Sequence, residues 1–307
     1  MTTTAAPDVP DASTAAEAPS PTSTPTPSLS PSRAGDFMRC PLLFRLRVVD
    51  RLPEPPSSAA ARGTLVHAVL ERLYDAPLGE RTPEAAEALL PAEWERLVEA
   101  EPRYATLFDA DGDAAGTTPE QWIARARRLV GTYFTLEDPN RLEPEARELR
   151  VETALDDGPL LRGIVDRLDV APGGALRVVD YKTGRAPGPG FEASALFQMR
   201  FYGLVLWRER GVLPRMLQLL YLGDGQVLRA QPDEPDLEAT ETKVRALWSA
   251  IQDAARTGDW RPRRSRLCGW CAHQEVCPEF GGTPPVIPAG ALRARLGVEP
   301  EVEPVSG

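Results

Sequence analysis

The pattern of apolar and polar positions changes period near residue 145. Upstream it is helical. Between Arg62 and Tyr74, Leu65, Val69 and Leu73 form one stripe, with Val66, Leu70 and Tyr74 beside it. A return every three to four residues is the mark of an amphipathic helix. The same spacing predicts helices over about 83–100 and 119–136, with a loop at 102–117. Downstream, short runs rich in β-branched residues predict strands at Arg147–Leu155, Leu160–Val170 and Ala175–Lys182. Asp156-Asp157-Gly158-Pro159 and Pro172-Gly173-Gly174 supply the turns between them. A helix over Phe191–Arg210 follows, then strands near 215–222 and 226–231 joined through Gly223-Asp224-Gly225, then a long helix over about 235–257. Helices, a strand meander, a helix, a hairpin and a helix predict a mixed α/β core with an N-terminal helical part.

The ends read differently. Residues 1–30 are Thr, Ala, Pro and Ser with a few acids, a low-complexity composition expected to be disordered. Order is expected to begin near Ser32, which is placed to N-cap a short helix running to Cys40. Pro41 opens an apolar-basic stretch from Leu42 to Val49, and a proline-rich connector spans Pro53–Ser58. The proline-rich residues 283–307 read as a C-terminal tail, leaving one folded domain over 31–282.

Composition narrows the function classes. Of the 307 residues, 42% are hydrophobic and 26% charged, as in an ordinary globular protein. A net charge of −10 argues against coating nucleic acid through bulk charge, and leaves room for a local basic groove. Two such stretches exist. Five arginines stand between Arg33 and Arg51 against Asp36 and Asp50, and five between Arg256 and Arg266 against Asp259. No apolar run approaches the roughly 18–20 residues of a membrane span, and no secretory leader pattern opens the chain. A cytoplasmic, reducing location is therefore expected, where four cysteines serve as metal ligands rather than disulfides.

Three features carry candidate chemistry. Asp180-Tyr181-Lys182 ends a predicted strand whose Leu176, Val178 and Val179 are apolar, so Asp180 and Lys182 share a face at the tip of a buried element. Gly163-Ile164-Val165-Asp166 lies on the preceding strand. Hairpin pairing brings Asp166 toward Asp180, and two adjacent carboxylates call for a cation between them. His67 follows Gly63 by four residues on a helix that is apolar on both sides. Taken singly, each has a plain structural explanation: a surface ion pair, an exposed strand carboxylate, a core histidine.

The cysteines form a further constellation. Cys268-Gly269-Trp270-Cys271 and Cys277 give C-x2-C-x5-C, and Cys40 lies 228 residues upstream (268 − 40). Four thiolates suit either zinc or an iron–sulfur cluster. Both arginine stretches adjoin these cysteines, so bridging them creates one basic patch for a phosphate backbone. Trp260 and Trp270 are candidates for stacking on bases, and His273 reads as structural.

Taken together, the chain resembles the RecB-type branch of the PD-(D/E)XK nuclease superfamily. The ordered motifs are G-x-x-x-H (Gly63, His67), G-x-x-D (Gly163, Asp166), D-x-K (Asp180, Lys182) and Q-x-x-x-Y (Gln198, Tyr202). The resemblance implies a restriction-endonuclease-like fold with a mixed central sheet flanked by helices. It implies that His67, Asp166, Asp180 and the main-chain carbonyl of Tyr181 bind Mg²⁺ or Mn²⁺, and that Asp166, Asp180 and Lys182 are catalytic. Gln198 and Tyr202 would contact DNA or support Lys182, and Glu152 is an outer carboxylate candidate. The layout of Cys40, Cys268, Cys271 and Cys277 resembles that of AddB and CRISPR-associated RecB-like exonucleases, which implies a C-terminal [4Fe–4S] segment rather than Zn²⁺. The expected activity is a metal-dependent DNA exonuclease favouring single-stranded ends, in DNA repair, recombination or CRISPR spacer processing. The alternatives are a catalytically silent DNA-binding or partner-binding homologue, and an iron–sulfur redox protein, which the absence of a flavin or nicotinamide fingerprint disfavours. The chain carries no G-x-x-x-x-G-K-[ST] loop, so unwinding is expected from a helicase or another repair or CRISPR partner.

Overall fold

The computed structural model describes residues 26–188, 190 and 192–300. The stretch read as a low-complexity tail lies outside the described residues up to 25. Strand β1 (Ser28–Leu29) precedes helices α1 (Pro31–Arg39) and α2 (Pro41–Phe44), with a π-helical turn at Arg45–Val49. Three longer helices follow: α3 (Ser58–Leu73), α4 (Pro83–Ala100) and α5 (Pro119–Leu136). A meander of β2 (Ala146–Ala154), β3 (Leu160–Val170) and β4 (Leu176–Lys182) leads into α6 (Ala193–Arg210). The hairpin β5 (Met216–Tyr221) and β6 (Gln226–Ala230), then α7 (Glu234–Thr257) and a short α8 (Ala291–Leu296), complete the order.

The sheet runs β1-β3-β4-β5-β6, with β2 paired to the other side of β3. It is mixed: β4 and β5 are parallel, β2–β3, β3–β4 and β5–β6 antiparallel. The parallel step requires a crossover, and α6 provides it. Helices cover both faces. On one, α1, α2, α6, α7 and α8 bury Phe37, Phe44, Leu204, Ile251 and Leu296 against Val178, Leu217 and Leu219. On the other, α3, α4 and α5 bury Leu65, Val69, Leu90 and Trp122 against Val179, Tyr181 and Leu220. Alternation along β4 sends Val178 and Asp180 to the first layer and Val179 and Tyr181 to the second.

Three local expectations are corrected. Ser30, not Ser32, caps α1, its side chain accepting from the Arg33 amide, because Pro31 fits the first helical turn. Ser28 and Leu29 lie within the stretch read as disordered, yet they pair in parallel with Leu160 and Leu161, and Leu29 is fully buried. The segment read as a tail carries α8, whose Leu292 and Leu296 join the first core. Among the described residues no helix is long and apolar enough to cross a membrane.

Candidate active site

The site forms where β3 and β4 part. Their ladder runs from Val170–Leu176 to Arg167–Val179, and the next positions in that register are Asp166 and Asp180. There the Tyr181 amide donates to the Asp166 carboxylate at 2.7 Å instead of continuing the ladder. On the other side of β3, partners run from Ala154–Leu160 to Ala146–Leu168, a register that sets Glu148 opposite Asp166. Glu148, Asp166 and Asp180 thus occupy one row across three strands. Like charges facing across strands destabilise a sheet unless a cation separates them. Glu148 also holds φ at 44°, in the left-handed region, a conformation that costs a non-glycine residue about 1–3 kcal/mol and gathers at functional sites.

His67 on α3 closes the row from the second helical layer. Its Nε2–H donates to the Tyr181 carbonyl at 2.9 Å, and its Nδ1 lies 3.4 Å from Asp166 Oδ2. The ring meets Tyr181 edge-on. Gly63, one turn earlier, lets α3 approach the chain after β4: a Cβ there would stand 3.4 Å from Thr183 Oγ1. His67, Glu148 and Asp166 bring donor atoms within 4.8 Å of one another, the one such group of three among the described residues.

Asp180 is turned toward the other layer. Its Oδ2 lies 2.6 Å from Lys182 Nζ, and its Oδ1 accepts from Gln198 Nε2 at 2.9 Å. Gln198 Oε1 in turn accepts from Lys182 Nζ at 3.0 Å. The amide therefore bridges the acid and the base of the D-x-K motif. Tyr202, one helical turn on, accepts a longer bond from Gln198 Nε2 at 3.3 Å and lays its ring on β3 at Gly163.

The electrostatics follow from this crowding. Burial lowers the His67 pKa, but its hydrogen bond to Asp166 and the charges of Asp166, Asp180 and Glu148 outweigh that and push it up to about 9. Burial and the Asp166 charge raise Glu148 to about 7. Burial and Asp166 raise Asp180 to about 6 against the pull of Lys182. Protons thus stand where positive charge is wanted. Three carboxylates, an imidazole and a main-chain carbonyl are a donor set that fits a hard divalent cation.

Beneath the row lies a buried guanidinium. Arg167 has no exposed surface. It pairs with Glu137 at 2.8 Å and Asp169 at 3.0 Å, and donates to the hydroxyls of Tyr74 and Tyr181 at 2.9 Å. It ties α3, α5, β3 and β4 together directly behind Asp166.

Of the sequence-predicted site residues, the structure brings together His67, Asp166, Asp180, Tyr181, Lys182, Gln198 and Tyr202. Glu152 stands apart, exposed and opposite Arg162. Glu148 was missed, although counting back from the β2–β3 turn sets it opposite Asp166.

The four cysteines line one cavity of about 150 Å³ between α1, α2 and the 262–280 segment. The Arg263 amide donates to Cys40 Sγ at 3.4 Å, joining the two basic stretches. Burial, with the neighbouring Cys40, Cys271 and Cys268, pushes the Cys277 thiol up. Yet among the described residues no three of these sulfurs lie within 4.8 Å of one another. The [4Fe–4S] cluster implied by the resemblance is not shown. The arginine patch is partly consumed: Arg45 pairs with Asp50, and Arg47 with Asp36 and Glu54. Trp260 is buried and stacks on Phe44, so it is no base platform, whereas Trp270 is 83% exposed. His273 is buried against Glu54 at 2.8 Å, a structural contact.

Comparison with known proteins agrees with the fold. A family model described as the PD-(D/E)XK nuclease superfamily matches residues 28–278. The chain is 24% identical over 295 residues to the Gene 69 protein of Mycobacterium phage L5, covering 84% of this chain and 99% of that protein. It is 29% identical over 275 residues to the Gene 69 protein of Mycobacterium phage D29, covering 83% and 97%. Among solved structures, a protein named "Putative exonuclease" from Eubacterium rectale superposes with a TM-score of 0.50 at 14% identity, over 80% of this chain and 86% of that one.

Proposed function

The chain belongs to the PD-(D/E)XK nuclease superfamily, and on that footing we propose that it is a metal-dependent DNA exonuclease acting on single-stranded ends in the cytoplasm. The observation that carries this reading is the row of Glu148, Asp166 and Asp180, flanked by His67 on one side and Lys182 on the other. His67, Asp166, Asp180 and the Tyr181 carbonyl, joined by Glu148, would hold Mg²⁺ or Mn²⁺. A divalent cation bound there supplies Lewis-acid charge beside the phosphate and lowers the pKa of coordinated water. Lys182 stands over Asp180, where its ammonium orients the attacking water and offsets charge growing on the phosphate. Gln198 holds the ammonium to that position, and Tyr202 holds Gln198.

A single fold running from β1 to α8 and the lack of a nucleotide-binding loop suit an enzyme that trims ends opened by a helicase or another repair, recombination or CRISPR protein. For the cysteine cavity we favour a [4Fe–4S] cluster over Zn²⁺. All four cysteines line it, and four thiolates suit such a cluster. Linking Cys40 to the 268–277 loop would close a very long chain segment and stabilise the fold.

The test is hydrolysis of end-labelled single-stranded DNA with Mn²⁺, with EDTA, and by Asp180→Ala. Cleavage by the native protein alone, abolished by EDTA, is expected. No cleavage with any divalent metal would leave a silent DNA-binding homologue as the reading. Iron and sulfide analysis of anaerobic protein decides the cysteine site, and zinc without iron sinks the cluster.

A further inference from the structure

A groove of about 1090 Å³ opens beside the active site. Gln198, Tyr202 and Gly163 form its inner end. Its walls carry Arg150 on β2, Arg162 on β3 and Arg39 at the end of α1. These arginines are exposed, and none has a carboxylate within ion-pair distance among the described residues. Two acids also face the groove. Asp36 is neutralised by Arg47 at 2.8 Å, which leaves Glu152 as the opposing charge. In a chain of net charge −10, an excess of cationic side chains along one channel is a local choice.

Arg39 also lines the cysteine cavity, so the groove and that cavity abut. Trp270, 83% exposed, lines the same cavity together with the half-exposed Leu267 and Phe280. Scattered surface apolars are ordinary. A tryptophan left in water on a cavity that shares Arg39 with the cationic groove has the makings of a stacking platform.

We propose that single-stranded DNA runs from the active site along this groove, its phosphates on Arg162, Arg150 and Arg39, and stacks a base on Trp270. This rests on the nuclease reading and adds the strand's path to it. Only an unpaired base offers its face to an indole, and stacking tolerates any sequence. The arginines supply the salt-dependent share of affinity. The path makes the cysteine-bearing loop part of the substrate grip, not only a staple of the fold.

The experiment measures fluorescence anisotropy of a labelled single-stranded 20-mer with anaerobically purified protein, Ca²⁺ replacing Mn²⁺. Trp270→Ala is expected to weaken binding about tenfold, within the range of one base–aromatic stack. Trp270→Phe should restore most of the loss. Arg150→Glu with Arg162→Glu should weaken binding further and flatten its dependence on salt. Native affinity in both the Trp270→Ala and the arginine variants would overturn the path, as would equal loss in Trp270→Ala and Trp270→Phe. Hydrolysis of the p-nitrophenyl ester of thymidine monophosphate by native protein with Mn²⁺ reports the chemistry separately. Strand binding through Trp270 without ester hydrolysis would refute the nuclease reading and still support the path.

Discussion

Tyr202 lies so close to Gly163 that a Cβ on the glycine would stand 2.5 Å from the ring carbon Cε1. The glycine of one motif is therefore the seat for the tyrosine of another. Tyr202 in turn supports Gln198, and Gln198 spans Asp180 and Lys182. Gly163→Ala should push the ring off β3 and carry Gln198 with it. Overpacking of this kind costs about 1–3 kcal/mol. The expected outcome is a melting temperature lower by a few degrees and a cleavage rate reduced at least tenfold, read by thermal melts and single-turnover kinetics.

Gln198 can be tested without moving the backbone. Gln198→Ala releases both the Lys182 ammonium and the Asp180 carboxylate from their shared partner. Loss of a positioning contact at a reacting group shows in kcat more than in KM. A fall in kcat of about 10- to 100-fold with KM within a few-fold is expected. A change confined to KM would instead make Gln198 a DNA contact.

Arg167 concerns stability rather than chemistry. Its side chain is wholly buried between Glu137, Asp169 and the tyrosine hydroxyls. Removing one partner of a buried ion pair leaves the others uncompensated, at a cost of about 3–5 kcal/mol. Arg167→Met should therefore melt roughly 10 °C lower. Arg167→Lys should rescue little, since an ammonium cannot reach carboxylates and phenols on several sides at once.

The sequence made the long elements legible for a physical reason. The α4, α5 and α7 patterns span several turns, so the period averages out local exceptions, and their observed ranges fall within a residue or two of the predicted ones. The two-residue β1 and six-residue α8 carry no measurable period. They are ordered by burial of Leu29 and Leu296 against elements far along the chain. The same split applies to the site. Residues in the ordered motifs converge in space, whereas Glu148 sits in no motif and is placed only by strand register. Trp260 and Trp270 look alike in sequence, and only packing on Phe44 separates them.

The metal-free site should titrate in one direction. His67 has its pKa raised from 6.5 to about 9, Glu148 from 4.5 to about 7 and Asp180 from 3.8 to about 6. A group whose folded pKa is raised contributes stability below its unfolded pKa and loses it as pH rises through the folded one. All three therefore make the metal-free fold lose stability progressively as pH rises from about 4 to 9. A cation must displace the same protons. Mn²⁺ affinity should rise with pH from 6 to 9, with proton release that calorimetry in buffers of different ionisation heat would detect. Affinity flat across that range would exclude His67 and Glu148 as ligands.

Glu148 should show stability and function moving in opposite directions. It faces Asp166 across the strand pair, is held at a φ of 44°, and has its pKa raised by burial and by that neighbour. A cation would offset the crowding of charge, whereas the backbone strain stays. Glu148→Gln removes the charge and keeps the size, so the metal-free protein should melt higher than native at pH 8. The same variant should bind Mn²⁺ at least tenfold more weakly, and its melting temperature should respond less to added metal. Glu148→Gly separates the two costs, because glycine accepts positive φ freely. It should also raise the metal-free melting temperature by removing the charge, and relief of backbone strain adds to that gain. A Glu148→Gln protein with native Mn²⁺ affinity would reduce Glu148 to a bystander beside His67, Asp166 and Asp180.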